Sequence, residues 1–207
     1  MLYEYEKNTI KAVVFDVGGV LIENPWNHMM GHFASVLQIE KEKLEMTLLE
    51  KFDEFERNHI SEEVMWNHIM TRHNLGPKNV KGLWLKGLKK VFQEKQEMMR
   101  VVKQLKQKQY KVAILSNTEH PIAPFLEERY KQHFHSIILS PRVGLTKPQK
   151  EIYEYTLVQL GHHAHETLFI DDKKENIEGA KIAGMHAIHY TTHDVFLEEL
   201  SHYVQIR

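Results

Sequence analysis

The 207-residue chain sets 27 Lys and Arg against 28 Asp and Glu, a net charge of −1, so no basic excess marks a nucleic-acid footprint. Its 42% hydrophobic residues suffice for a real core, yet its apolar runs, such as 12–15 and 112–115, fall far short of the ~20 residues a bilayer crossing takes. Cysteine is absent, which removes disulfides, thiolate metal sites and cysteine nucleophiles, while 15 histidines stand out.

In chain order, Met1 to Lys7 carries acidic residues and no apolar segment, so no secretory signal is expected and the chain reads as cytoplasmic. A β-rich run, Lys11 to Asp16, opens the fold. Helix-period segments follow at Pro25 to Leu37, Lys41 to Arg57, Glu62 to His73 and Val80 to Phe92. Asn58 tolerates a left-handed helix end and Ser61 is suited to cap the next helix, with Glu62 and Glu63 in its first turn. Beyond them, strands at Lys111 to Ser116, Ser136 to Leu139, Thr167 to Asp171 and His186 to Tyr190 alternate with helices at Glu97 to Gln107, Ile122 to Tyr130, Gln149 to Leu160, Lys174 to Ala183 and Val195 to Tyr203. Five near-continuous apolar strands alternating with helices predict an α/β fold with a Rossmann-like parallel sheet covered on both faces. A crossover helix needs only a dozen or so residues, so the long gap after the first strand predicts an insertion. We read 1–23 and 94–207 as the sheet domain and 24–93 as an all-helical cap. Trp26, Trp66 and Trp84 all fall in that segment and are expected to form its core.

Ligands of open parallel sheets bind beyond the carboxyl ends of the strands. Asp16-Val17-Gly18-Gly19-Val20 follows the first strand, Ser116-Asn117-Thr118 ends the second, Thr146-Lys147-Pro148 comes after the third, and Asp171-Asp172, with Asn176 further on, ends the fourth. Clustered carboxylates without cysteine or histidine are hard oxygen ligands suited to Mg²⁺. A hydroxyl, backbone amides and an ammonium suit phosphoryl oxygens, and an aspartate is an established phosphoryl acceptor. Taken singly, an Asp after a strand is as often a turn former, and a Lys before Pro148 a solvated loop residue. Their joint occurrence points to phosphoryl transfer. His28 and His32 stand four apart and 162–165 is dense in histidine, but no carboxylate completes a recognisable zinc motif.

These four motifs, Val13-Val14-Phe15-Asp16-Val17-Gly18-Gly19-Val20-Leu21, Ile114-Leu115-Ser116-Asn117, Lys147-Pro148 and Phe169-Ile170-Asp171-Asp172 with Asn176, resemble those of the haloacid dehalogenase-like (HAD) hydrolase superfamily, in particular its C1-capped subfamily I phosphatases. The resemblance implies sheet order 5-4-1-2-3, which sets the first and fourth strands side by side. It implies Asp16 as the nucleophile; Asp16, the Gly18 carbonyl and Asp171 as Mg²⁺ ligands, with Asp172 ordering the metal's water; and Ser116, the Asn117 amide and Lys147 as phosphoryl-binding groups. Asn176 and Thr118 are read as supporting residues.

One departure stands out. The family's phosphatases usually carry a second Asp two residues after the nucleophile, as proton donor and later base; here that position is Gly18. The variant motif, with the stretch Phe55-Glu56-Arg57-Asn58-His59-Ile60-Ser61, is similar to a bacterial subgroup that includes a glucose-1-phosphate phosphatase, whose leaving group needs little protonation. Glu23 or His28, just downstream, is an alternative acid. The expected activity is a Mg²⁺-dependent phosphatase of a small phosphorylated metabolite, with a sugar phosphate as the candidate substrate, acting through an aspartyl phosphate, with neither nucleic acid nor membrane as partner. The alternatives are a metal-independent haloacid dehalogenase, which the acidic pair Asp171-Asp172 disfavours, and a non-catalytic phospholigand-binding protein.

Overall fold

A computed structural model describes residues 10–205; the expectation for the first seven residues lies outside them. Five strands, β1 (Ala12–Phe15), β2 (Lys111–Ser116), β3 (Ser136–Leu139), β4 (Thr167–Asp171) and β5 (His186–His189), form one sheet in the order β3-β2-β1-β4-β5. Every pairing is parallel. This is the expected order read from the opposite edge, and it places β1 between β2 and β4.

The strand period of two explains why the runs are apolar throughout. Val13 and Phe15 of β1, with Ile114 and Ile170, join one core; Val14, with Leu115 and Phe169, joins another across the sheet. The first face is covered by α6 (Gln96–Gln107), α7 (Ala123–Tyr130) and α11 (His193–Ser201), through Val102, Leu126 and Phe196 among others. The second is covered by α9 (Lys150–Leu160) and α10 (Lys174–Ile182), through Ile152, Tyr153, Ile177 and Ala180. A short α8 (Ser140–Val143), with Pro in its first turn and left-handed Gly144 at its end, and a 3₁₀ turn at Ala164–Glu166 went unforeseen. Pieces of one turn carry too little periodicity to be read from sequence.

Between β1 and α6 the chain forms α1 (Trp26–Leu37), α2 (Lys41–Leu49), α3 (Phe52–Glu56), α4 (Glu62–Arg72) and α5 (Leu83–Val91). It departs and returns through one antiparallel bridge, Ile22 to Glu94, with Glu23 N donating to Gln93 O and Lys95 N to Leu21 O, each at 2.9 Å. Ser61 Oγ accepts from Val64 N, and Asn58 holds a φ of 60°, as the composition of that break requires.

The continuous helix expected over Lys41 to Arg57 is instead two. Lys51, at φ −130° and ψ 13°, breaks it. The break lets Phe52 meet Trp26 (5.0 Å between ring centroids) while Phe55 meets Trp84 (4.9 Å), and Phe33 touches both Trp66 and Trp84 at 5.1 Å. Aromatic packing outweighs local propensity here. The helix expected from Val80 begins only at Leu83, because Gly82 takes the left-handed conformation (φ 66°). Glu62 ties α4 to α5: its Oε1 accepts from Trp66 Nε1 (3.1 Å) and from Trp84 N (2.9 Å).

Candidate active site

The sheet order brings the ends of β1, β2 and β4 together, and with them most of the residues singled out from sequence. Asp16, Asp171 and Asp172 each offer a carboxylate oxygen within 4.8 Å of the others, making the one group of three or more metal-capable side chains among the described residues. Lys147 lies between two of them. Its Nζ donates to Asp171 Oδ2 (2.6 Å) and to Leu115 O (3.0 Å) and stands 2.8 Å from Asp16 Oδ1. Three partners use all three ammonium hydrogens, so the charge is fixed in place although only 4% of the residue is exposed.

The Lys147 loop is clamped by Asn117. Its Nδ2 donates to Lys147 O (3.0 Å), and its Oδ1 accepts from Lys147 N (2.9 Å). The sequence expectation used only the Asn117 main chain; the side chain positions Lys147. Ser116 is buried beside it, its Oγ donating to Asn117 O at 3.2 Å. Thr118 is anchored at both backbone atoms by Ser140 Oγ, as donor at 3.1 Å and acceptor at 3.0 Å. Asn176 Nδ2 donates to both Asp171 oxygens at 3.0 Å, and Lys173 N donates to Asp171 Oδ1 at 2.8 Å.

The two adjacent aspartates therefore differ. Both Asp171 oxygens are occupied by donors, whereas Asp172 Oδ1 is buried with no hydrogen-bond partner. A buried carboxylate oxygen without a donor is costly. Burial and the charge of Asp171 push the Asp172 carboxyl above its ordinary value. Burial likewise pushes Asp16 up to about 6, against the opposing pull of Lys147. Three carboxylates around one ammonium leave negative charge in excess, and a divalent cation would offset it. The site fits a hard cation on these grounds. Gly19 admits no side chain: at φ 80°, a Cβ there would lie 2.1 Å from Asp172 Oδ2.

The acids weighed for the missing role at Gly18 are both exposed. Glu23 is exposed and stands 3.8 Å from Lys95 Nζ, and His28 is exposed on α1. His32, its helix neighbour, has the Lys90 ammonium 3.4 Å from its Nδ1. Two other carboxylates lie within electrostatic reach of each other instead. Glu56, at the end of α3, is partly buried, and its pKa is raised to about 8 by burial first and then by the charge of Glu119. Glu119, just past the Ser116-Asn117 turn, is 9% exposed and raised by burial to about 7, with Lys173 opposing. The stretch 55–61 drew notice in the sequence for its resemblance to a bacterial subgroup, but nothing there pairs Glu56 with Glu119.

A stability effect follows from Glu56. Its carboxyl keeps its proton in the folded chain through a pH range where the unfolded chain, with an ordinary value near 4.5, has lost it, so wild-type stability falls as pH rises toward about 8. Glu56→Gln is free of that loss. Its Tm is expected to exceed that of wild type by a margin that grows from near pH 4.5 and levels off above about 8, at a rate of order 1 kcal/mol, or ~2–4 °C, per pH unit. A constant margin in thermal scans across this range would disprove the assignment.

The chain is similar to known proteins in sequence and in fold. The sequence pattern of the haloacid dehalogenase-like hydrolases matches residues 10–184. The sesquiterpene phosphatase astK of Aspergillus oryzae is 28% identical over 185 residues, covering 88% of this chain and 91% of its own. The drimenol cyclase drtB of Aspergillus calidoustus is 23% identical over 196 residues, 93% of this chain but only 36% of its own. Among solved structures, a HAD family enzyme from Bacteroides thetaiotaomicron superposes with a TM-score of 0.78 at 20% identity, covering 92% of this chain and 98% of the other. The same enzyme has been solved in complex with magnesium and inorganic phosphate (TM-score 0.75, 21% identity, 89% and 96% covered). The L-2-haloacid dehalogenase of Xanthobacter autotrophicus superposes at 0.63 with 19% identity, covering 93% and 82%.

Proposed function

From a chain that belongs to the haloacid dehalogenase-like hydrolases, we propose a Mg²⁺-dependent phosphatase of small phosphomonoesters that works through an aspartyl phosphate on Asp16. The observation that carries the reading is the buried meeting of Asp16, Asp171 and Asp172 around Lys147. Such an arrangement has more negative charge than a halide-releasing site needs, and it suits a cation beside a phosphate.

In this mechanism an oxygen of Asp16 attacks phosphorus as the ester oxygen leaves, and water then cleaves the aspartyl phosphate to release phosphate and restore the carboxylate. Lys147, held by Asp171 and Asn117, offsets charge on the transferring group without reorganising. Ser116 Oγ and the Asn117 amide orient its oxygens. Asp16, Asp172 and the Gly18 carbonyl would hold the metal, with Asp171 anchoring Lys147. This exchanges the roles first assigned to the adjacent aspartates, because the donors around Asp171 leave it little free lone-pair capacity, whereas Asp172 Oδ1 has no donor and keeps its lone pairs free. A bound Mg²⁺ would supply positive charge to the phosphoryl oxygens. Residues 24–93 act as the cap that excludes water and selects the substrate.

The test is phosphate release from a panel that includes sugar 1-phosphates, suggested by the Gly18-Gly19 motif, and isoprenyl monophosphates, suggested by the astK relative. Exhaustive chelation is expected to reduce release to background, and added Mg²⁺ to restore it. Undiminished release from the metal-free protein would end the metal-dependent reading.

A further inference from the structure

Gly18 leaves the site without the carboxylic acid that would normally deliver a proton to the leaving oxygen, and no side chain of the motif loop replaces it. The fold brings one from the inserted helices. Glu56 closes α3, and the next residue, Arg57, ties that helix to the loop that carries Lys147. Arg57 Nη2 donates to Thr146 Oγ1 (2.5 Å) and Nη1 to Gly144 O (3.3 Å), while Nε is held by Asp53 (2.8 Å to Oδ2). With α3 latched there, the groups that face Glu56 are Glu119, Lys173, Lys147 and Asp53. Glu119 in turn faces Lys173, Thr118 and the Trp84 indole N–H, which is buried without a hydrogen-bond partner. Two carboxylates, one at the end of α3 and one just past β2, thus lie within electrostatic reach of each other and of Lys147, on the loop that Arg57 holds. Glu119 has in addition the Thr118 hydroxyl and the Trp84 indole N–H toward it. Glu119 is the better able to carry charge, and its charge favours the protonated form of Glu56.

Resting on the phosphatase reading above, we propose that Glu56 is the catalytic acid and base that position 18 lacks, and that Glu119 is a positioning residue that keeps Glu56 protonated until it is used. As the bond from Asp16 to phosphorus forms and the ester P–O bond breaks, the Glu56 proton passes to the departing oxygen, which leaves as an alcohol. Glu56, now a carboxylate, takes a proton from the water that attacks the aspartyl phosphate. The P–O bond to Asp16 breaks, and inorganic phosphate, the Asp16 carboxylate and protonated Glu56 are regenerated. Burial supports the role: a proton retained up to about pH 8 is available at neutral pH.

The experiment compares wild type, Glu56→Gln, Glu56→Asp, Glu119→Gln and Asp16→Asn on p-nitrophenyl phosphate, whose leaving group departs unprotonated, and on glycerol 2-phosphate, whose alkoxide cannot. Glu56→Gln is expected to lose about 10²–10⁴-fold on glycerol 2-phosphate. With p-nitrophenyl phosphate it should still give a burst of nitrophenolate and accumulate phosphorylated protein, since only the second step needs the base. Glu56→Asp should recover part of the loss, which a folding defect at this position would not allow. The wild-type kcat/KM on the alkyl ester should fall as pH rises through about 8, and Glu119→Gln should move that fall to lower pH. No nitrophenolate burst from Glu56→Gln, no loss on the alkyl ester, or a wild-type profile with no such fall overturns the role of Glu56 while turnover abolished by Asp16→Asn keeps the phosphatase reading. Release of phosphate from neither substrate by wild type, or undiminished release by Asp16→Asn, overturns both.

Discussion

Asp16→Asn is expected to lower phosphate release by roughly 10⁴-fold or more while leaving the protein folded. The amide has the shape of the carboxyl but is a very poor phosphoryl acceptor, and removing a nucleophile forfeits the whole covalent route rather than one contribution to it. The fold tolerates the change for an electrostatic reason. Asp16 is 6% exposed and its carboxylate is already disfavoured by burial, while Lys147 keeps Asp171 as a partner at 2.6 Å. Steady-state phosphate release, with a thermal scan of the same preparation, checks both halves. Turnover close to wild type would remove Asp16 from the chemistry.

Lys147→Met is the larger structural perturbation. Its Nζ is the hydrogen-bonded centre of a buried cluster, shared by Asp16, Asp171 and Leu115 O. Both carboxylates hold it in the charged form, above the ordinary lysine value, against a burial cost that alone would lower it. Taking away the ammonium strands two carboxylates in a space too dry to hydrate them. Removing one partner of a buried ion pair typically costs about 3–5 kcal/mol, and at ~2–4 °C per kcal/mol for a chain of this size the expected fall in Tm is roughly 6–20 °C. The loss should shrink at acid pH, as Asp16, raised to about 6, takes up a proton. Divalent metal should also reduce it by replacing the missing positive charge. Lys147→Arg is no remedy, since a planar fork cannot occupy the position of a compact ammonium. A Tm unchanged at neutral pH without metal would contradict the buried geometry.

Much of this protein was legible before folding was considered. The strands announced themselves because residues buried on both faces must be apolar at every position, so Ala12–Phe15 and Thr167–Asp171 appear in sequence as unbroken runs ending in Asp or just before it. Helix ends were legible where a local conformation demands a residue type, as at Asn58 and Ser61. The errors came where distant packing decided. The break at Lys51 exists to turn Phe52 and Phe55 onto Trp26 and Trp84, and nothing within that segment announces it.

The candidate site divides along the same line. Which residues stand at strand ends, Asp16, Ser116, Asp171 and Asp172, is a property of the sequence, because each closes or follows an apolar run in chain order, while Lys147 comes from the loop after β3 and α8. What each does depends on neighbours far away along the chain. Asp171 and Asp172 are identical and adjacent in sequence; they become unlike because Lys147, Asn176 and the Lys173 amide fill the lone pairs of one and leave an oxygen of the other buried without a donor. Glu56 and Glu119 read as ordinary charged residues until the latch of Arg57 onto Gly144 and Thr146 draws α3 against the sheet domain. Sequence alone determined the fold class and the strand ends, since these follow from local pattern, and its resemblance to a known family marked the gap at Gly18. Proton affinity and free lone pairs depend on dielectric and on contacts through space, and those the tertiary structure alone decided.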